Sequence, residues 1–485
     1  MINRISRRLL ITAVSVCLGG GAVQAQSASE CDPIDQLACS CKTAAVKPVN
    51  NTVNACFIGD VNTITANQAD GFTAKIFAAI NWPVKLDENG KAMPGVPDYQ
   101  AKLDGSWTAV WETWKSTNQI FRGDQPPLPW DSTAYPLPAA CAELDLEAAM
   151  ASVPYAADIP MTMQPRLLDE YLNPEGRALL DRNGVPVRYD VIFNKQAYDY
   201  TVENKLFDAR GLEGFLHKNG KLSMPKGFWI APANGKQRGA IVLKSSWMVL
   251  DAKHDPMRFH KAWAYITPLV ENGKVTHDCA LRPVGLVGLH VIYKTDQFKK
   301  WGWGTFEHDT VAPTWAEVGD TAAGVYADGA SVPQWLFYSR DQDGAAKLNT
   351  PPKHAAAGIP SRVVAFYPPG YYAEPIGVAV KECSAYDQNF RCINARLKSG
   401  FANSPLRNYR LHGTQWELLD SNGRLLPEIL GNATMETYTQ NTSSCQSCHS
   451  FARPDQPGAA RETLDFIFSF NRDVLQRSSP VQGNK

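Results

Sequence analysis

Between Pro186 and Thr310 the apolar residues come in short runs that break at Gly, Pro, Asn or Asp. GFWIAP (227–232) is followed by GAIVLKSSWMVL (239–250), FHKAWAYIT (259–267), VGLVGLHVIYKT (284–295) and WGWGTFEH (301–308). Runs of this length, rich in β-branched and aromatic side chains, predict strands and a sheet core over about 186–310. In the second run Ile241, Leu243, Ser245, Trp247 and Val249 recur at period two and share one face. Upstream the period changes. In GSWTAVWETWK (105–115) Trp107, Val110, Trp111 and Trp114 fall at helical spacing, which predicts an amphipathic helix capped by Ser106 with an aromatic stripe on the core. The proline-rich stretch from Pro126 to Pro165 (PPLPW, YPLP) predicts extended connections, and residues 311–410, with YPPGYYAEP, read as loops that wrap the sheet or form a smaller subdomain. TLDFIFSF (463–470) fits both periods: Phe466, Phe468 and Phe470 line one side of a strand, Leu464, Ile467 and Phe468 one face of a helix. The expected fold class is α+β, with a sheet-rich central body at 186–410, a helical, disulfide-stapled N-terminal region at 26–185 and a small C-terminal segment at 411–485.

The first 25 residues change the compartment. Arg4, Arg7 and Arg8 precede the apolar run LLITAVSVCLGGGAV, which ends at Val23-Gln24-Ala25, the pattern of a signal peptide cleaved after Ala25. The run is too short to span a bilayer, and no later stretch is longer and equally apolar, so export to the periplasm without a membrane span is expected. SRRLL has a trace of the twin-arginine pattern, but the general secretory route is the favoured reading, and Val16 before Cys17 is a poor lipoprotein site. Losing the three leader arginines leaves 45 basic residues against 48 acidic, a balance that attracts neither nucleic acid nor anionic membrane.

Cysteine use follows from the compartment. Setting aside Cys17 in the leader and Cys445 and Cys448 below, eight remain: Cys31, Cys39, Cys41, Cys56, Cys141, Cys279, Cys383 and Cys392. In an oxidising environment these predict up to four disulfides, and the short loop between Cys383 and Cys392 is the pairing that spacing favours; a zinc site on Cys39-Ser40-Cys41 is the weaker reading.

The string that carries chemistry is SSCQSCHSFA (443–452). Cys445, Cys448 and His449 spell a CxxCH haem c attachment motif: two thiols three residues apart reach both vinyl groups of one haem, and the adjacent histidine presents a ring nitrogen to iron on the same face. The motif occurs once, which predicts one covalent haem c; a disulfide or redox dithiol is the alternative. None of the 36 residues after His449 is Met or His, so a second axial ligand must come from upstream, or the sixth position is open. Met435, ten residues before Cys445 in a helix predicted over ATMETYTQN, is one candidate, with a core methionine as the competing reading. His308 is the other, as ligand or as distal acid or base, with Glu307 beside it to orient or protonate a bound oxygen species. His290 reads as a strand-edge histidine, and His217, His254, His260, His277, His354 and His412 as exposed or structural ones. The phenylalanines of TLDFIFSF cover the haem edge or close the core, the second being the default.

GAIVLKSSW, GLVGLHVIYKT, WGWGTFEHDT, GTQWE and TMETYTQNTSSCQSCHSFA together resemble a family of large proteobacterial monohaem cytochrome c proteins of the periplasm. The resemblance implies haem on Cys445, Cys448 and His449 and draws attention to Glu307, His308 and Met435; it supplies no substrate. Two functions are expected to compete. One is electron transfer with a periplasmic redox partner protein. The other is a haem-dependent oxidoreductase, a peroxidase or oxygenase with an open iron site and a small-molecule substrate, for which the roughly 400 residues before the motif leave room. No GxxxxGK[ST], HExxH or GxSxG motif competes.

Overall fold

The computed structural model describes residues 66–476, apart from 124, 228–238, 272–273, 276–277, 296–299, 321–334, 339–346, 367–389, 417–426 and 456–457. The leader with Cys17, the cysteines Cys31, Cys39, Cys41 and Cys56, most of GFWIAP and all of YPPGYYAEP therefore lie outside the described residues.

One eight-stranded sheet organises the rest. Its strands are β1 (Lys115–Ser116), β2 (Arg166–Leu168), β3 (Arg188–Phe193), β4 (Ile241–Val249), β5 (Lys261–Ile266), β6 (Ala280–Tyr293), β7 (Gly302–His308) and β8 (Tyr409–Gln415). The path runs β8-β7-β6-β4-β3-β1, and β5 pairs with the first half of β6 and carries β2 on its far side. All pairings are antiparallel except β2 with β5. The α+β, sheet-rich class is thus what the chain forms, with four of the five expected runs as strands β4 to β7. The sheet also takes strands from 115–116, 166–168 and 409–415, so it draws on the expected N-terminal and central regions and crosses into the C-terminal one.

The two faces of the sheet differ. On one, Ile241, Leu243 and Trp247 of β4 join Leu289, Val291 and Tyr293 of β6 and Phe306 of β7 in the largest core cluster. Helices α1 (Ala66–Ile80) and α2 (Phe390–Gly400) cover this face, because Phe72, Ile76, Phe77 and Ile80 on one and Ile393 and Leu397 on the other fall on single helical stripes. Phe77 stacks on Phe306 at 4.1 Å between ring centroids. Each buried side chain of this size contributes about 1.5–3 kcal/mol. The opposite face alternates with it and carries Lys244, Ser246, His290, Thr305 and Glu307 among apolar residues.

The tryptophan stretch is core, as expected, yet it is no regular helix. Val110–Thr113 forms a single 3-10 turn, with Ala109 rather than Ser106 at its N-cap. Tertiary contacts override the spacing here: Trp107 Nε1 donates to the Asn81 carbonyl at 2.8 Å, Trp111 Nε1 donates to Asn81 Oδ1 at 2.9 Å, and Glu112 Oε2 accepts from the Ala109 N–H at 2.7 Å.

Cys141 and Cys279 are joined by a disulfide that spans 138 residues and ties the Ala139–Ala142 turn to the start of β6. Cys392 is also disulfide-bonded, while the partner expected for it, Cys383, lies outside the described residues. Closing so long a loop restricts the unfolded chain, so a Cys141→Ala/Cys279→Ala double variant is expected to lose about 3–5 kcal/mol. Urea unfolding of both forms under non-reducing conditions checks this. Among the described residues no helix is long and apolar enough to cross a membrane.

Candidate functional site

The polar sheet face is where the C-terminal segment lies. A turn at Asn432–Thr434 is stitched to it strand by strand. Asn432 Nδ2 donates to Thr305 Oγ1 and to the Phe306 carbonyl, both at 2.9 Å, and the Ala433 N–H donates to Glu307 Oε2 at 3.0 Å. The Thr434 and Ser246 hydroxyls share a hydrogen bond of 2.7 Å, and the Tyr189 hydroxyl donates to the Thr434 carbonyl at 2.8 Å. Gly288 makes this approach feasible, because a Cβ there would collide with the Thr434 and Ser246 hydroxyls.

The chain then enters α3 (Cys445–His449), which holds the whole CxxCH motif. Gln415, the last residue of β8, accepts from the Gln446 N–H at 2.8 Å and donates to the Pro427 carbonyl at 2.8 Å, so the start of α3 is fixed to the sheet edge. Cys445 and Cys448 are unbonded thiols, Cys445 half-buried and Cys448 exposed. Burial and the nearby Glu436 carboxylate push both thiols above the ordinary range. Redox dithiols depend on a lowered thiol pKa, so these electrostatics run against the redox-dithiol reading.

His449 is held by its outer nitrogen. Its Nδ1 lies 2.7 Å from the Phe466 carbonyl oxygen, which can only accept, so Nδ1 carries the proton. Burial pushes the ring's pKa down to about 4, leaving it neutral at pH 7 with the Nε2 lone pair free to bind a metal. Trp303 and Phe468 hold the ring plane, with centroids 4.4 and 5.2 Å away. The carbonyl is itself locked. Asp465 and Phe466 have φ of +48° and +66°, uncommon for residues with side chains. Asp465 is pinned by an ion pair with buried Lys294, by the Met224 N–H at 2.6 Å and by Trp301 Nε1 at 3.3 Å. TLDFIFSF is accordingly neither strand nor regular helix up to Phe466: Leu464, Phe466, Ile467 and Phe470 close the core, while Phe468 and the Phe466 carbonyl serve His449.

The groups beside the motif are not the ones expected. His290 sits on β6 in mid-sheet, paired with Lys244 of β4 and Thr305 of β7, rather than at a sheet edge. Its Nε2 lies 3.4 Å from Glu436 Oε2. His290, Glu436 and Lys244 are the ionisable side chains that act on His449, and Glu436 also acts on both thiols. Despite its own burial, Glu436 is held below the usual carboxylate range by His290 and Lys244.

Glu307, His308 and Met435 each have close neighbours other than the motif. Glu307 is fully buried 2.6 Å from His412 Nε2 and 3.9 Å from Arg410; burial alone would raise its pKa, but these two and the Ala433 N–H hold it below the usual range. It braces the Asn432–Thr434 turn. His308 uses both ring nitrogens: Nε2 lies 3.0 Å from the Arg258 carbonyl and Nδ1 accepts from the Thr310 N–H at 3.2 Å, while Phe259 stacks on its ring at 4.6 Å. No lone pair remains for iron. Met435 lies in turns, not a helix, and is fully buried in a cluster with Leu179, Met248 and Val287. Of the sequence candidates, the structure brings together Cys445, Cys448 and His449. Of those it adds, His290 and Lys244 had a legible signal, a histidine and a lysine inside strands that are largely apolar on both faces, whereas Glu436 had none.

His308 offers a pH test. Burial lowers its pKa from 6.5 to about 4, so between those values the unfolded chain binds a proton the native one refuses. Stability then falls as pH drops from about 6.5 to 4, by up to about 3 kcal/mol, and this contribution is constant above that window. Urea unfolding at pH 7, 6 and 5 is expected to give a shallower pH slope for His308→Gln than for the wild type.

Compared with known proteins, the chain matches no family model, no curated protein and no solved structure.

Proposed function

We propose that this protein is a periplasmic monohaem c-type cytochrome that transfers electrons through one haem attached to Cys445 and Cys448. The observation that carries the reading is the fixed orientation of His449: Nδ1 donates to a locked carbonyl and a neutral Nε2 is left for iron, next to two protonated thiols on the same turn. Bound there, haem would supply one-electron chemistry. The protein would set its ligation, burial and hydrogen bonding. Cys448 and Phe451 are exposed, so this turn is accessible to a redox partner. The resemblance to large periplasmic monohaem cytochromes and the signal-peptide pattern support the same reading.

The His290–Glu436 pair favours a second reading, a haem-dependent peroxidase or oxygenase. Two ionisable side chains close to the motif are the equipment for moving a proton to or from a bound small molecule. An optical spectrum of the purified protein, oxidised and reduced, with and without carbon monoxide, separates the two. A low-spin spectrum indifferent to carbon monoxide is expected for the electron carrier; a high-spin spectrum that changes on its addition would favour the enzyme.

A further inference from the structure

We propose that Lys244 forms a binding site for a carboxylate or similar oxyanion that the polypeptide itself does not supply. Lys244 projects from mid-sheet into a cleft of about 230 Å³ lined also by Asn118, Asp169, Glu170, Tyr189 and Arg472. The other charges of the cleft have protein partners. Arg472 pairs with Glu170 at 2.9 Å and with Asp473 at 3.2 Å, Asp190 with Arg166 at 2.7 Å, and Asp169 accepts from Asn118 at 2.9 Å. Among the described residues no carboxylate lies within ion-pair distance of the Lys244 ammonium. Its close neighbour is the Tyr189 ring, 5.4 Å away. Burial and Arg472 oppose its charge, while Glu170, Glu436 and Asp473 favour it from farther off.

Lys244 is half-buried, and the hydration its ammonium loses against the sheet is not replaced by a protein anion, whereas an apolar residue at this strand position would pack without that cost. An anion from outside the chain would remove the penalty. The cleft has room for a group of several heavy atoms and none for a peptide. Its position narrows the sources further. Lys244 is paired in register with His290, whose Nε2 lies 3.4 Å from Glu436, and its charge is felt at His449, so cleft and motif are electrostatically linked. The oxyanion is therefore either a propionate of the attached haem or a small free carboxylate entering from solvent. The first source rests on the haem reading above; the second does not.

The test uses the full exported protein as wild type, Lys244→Met and Lys244→Arg, after haem attachment has been checked separately by mass. Formate is titrated by calorimetry, and the infrared spectrum and the haem reduction potential are measured in formate-free buffer. A free-anion site predicts saturable formate binding, weakened at least about tenfold in Lys244→Met and retained in Lys244→Arg. A propionate site predicts no formate binding, with a shift of the haem propionate carboxylate band in the infrared spectrum of Lys244→Met that Lys244→Arg reverses; a lower potential in Lys244→Met is expected from the lost charge alone and only accompanies that shift. Formate binding that Lys244→Met leaves intact, or no binding together with an unchanged propionate band, overturns the proposal. If no haem is attached, the electron-transfer reading fails, while the wild-type formate titration still decides the site: absence of binding then overturns it.

Discussion

Serine at both Cys445 and Cys448 is expected to give a folded protein from which all haem is removed by acidified organic solvent, whereas the wild type keeps its haem through the same extraction. Two thioether bonds resist acid; iron coordination by His449 alone does not, because protonation of the imidazole releases the metal. The fold should survive the change. The Cys448 side chain is exposed, and the Cys445 sulfur makes only a long contact of 3.9 Å to the Leu430 carbonyl besides one with its own backbone. The start of α3 is fixed by Gln415 through the Gln446 backbone, which the substitutions leave alone. The loss in stability of the haem-free chain is therefore expected to stay within about 1 kcal/mol. Haem that remained covalently bound to the double-serine variant would place the attachment elsewhere.

The largest single effect on stability is expected at Asp190. Its carboxylate pairs with Arg166 at 2.7 Å, with both side chains 2% exposed. The guanidinium lies 5.2 Å from the Trp111 ring and 5.5 Å from that of Trp247, and also donates to the Glu112 carbonyl at 3.3 Å. Asp190→Ala leaves this cation inside the main core without its anion, at a cost of about 3–5 kcal/mol. Removing both charges together, as Arg166→Met/Asp190→Ala, is expected to cost less than the single change, because the penalty belongs to the stranded charge rather than to the lost attraction. Urea unfolding of the three proteins measures the difference; a single variant within about 1 kcal/mol of wild type would show that water or another residue compensates Arg166.

Strands β4 to β7 were legible because a buried strand writes itself locally, in β-branched and aromatic runs cut off by turn residues. The partners at the sheet's margins were not. Lys115–Ser116 and Arg166–Leu168 are two and three residues long, and only pairing with distant strands makes them strands. The expected helices at Trp107–Trp114 and Ala433–Asn441 failed for a related reason. In the first, indole N–H groups are bound to Asn81; in the second, Asn432 Oδ1 accepts from the Thr434 N–H at 2.8 Å and turns the chain. Local periodicity cannot anticipate either contact.

The motif itself was fully legible, since its chemistry depends on spacing within five residues. Its surroundings depend on registry. Glu307 and His308 attracted attention as adjacent ionisable groups, yet one braces a turn and the other is consumed by Arg258 and Thr310. His290 and Lys244 are separated by 46 residues in sequence and become neighbours only through the β4–β6 pairing. The Phe466 carbonyl that orients His449 belongs to backbone conformation, which side-chain identity leaves unmarked.

The most direct measurement is the mass of the proteolytic peptide containing Cys445 to His449, taken from full-length protein purified from the periplasm of a host able to mature c-type cytochromes. One haem on that peptide, bound through both cysteines, is the expected result. An unmodified peptide, or one with Cys445 and Cys448 joined as a disulfide, would contradict the account.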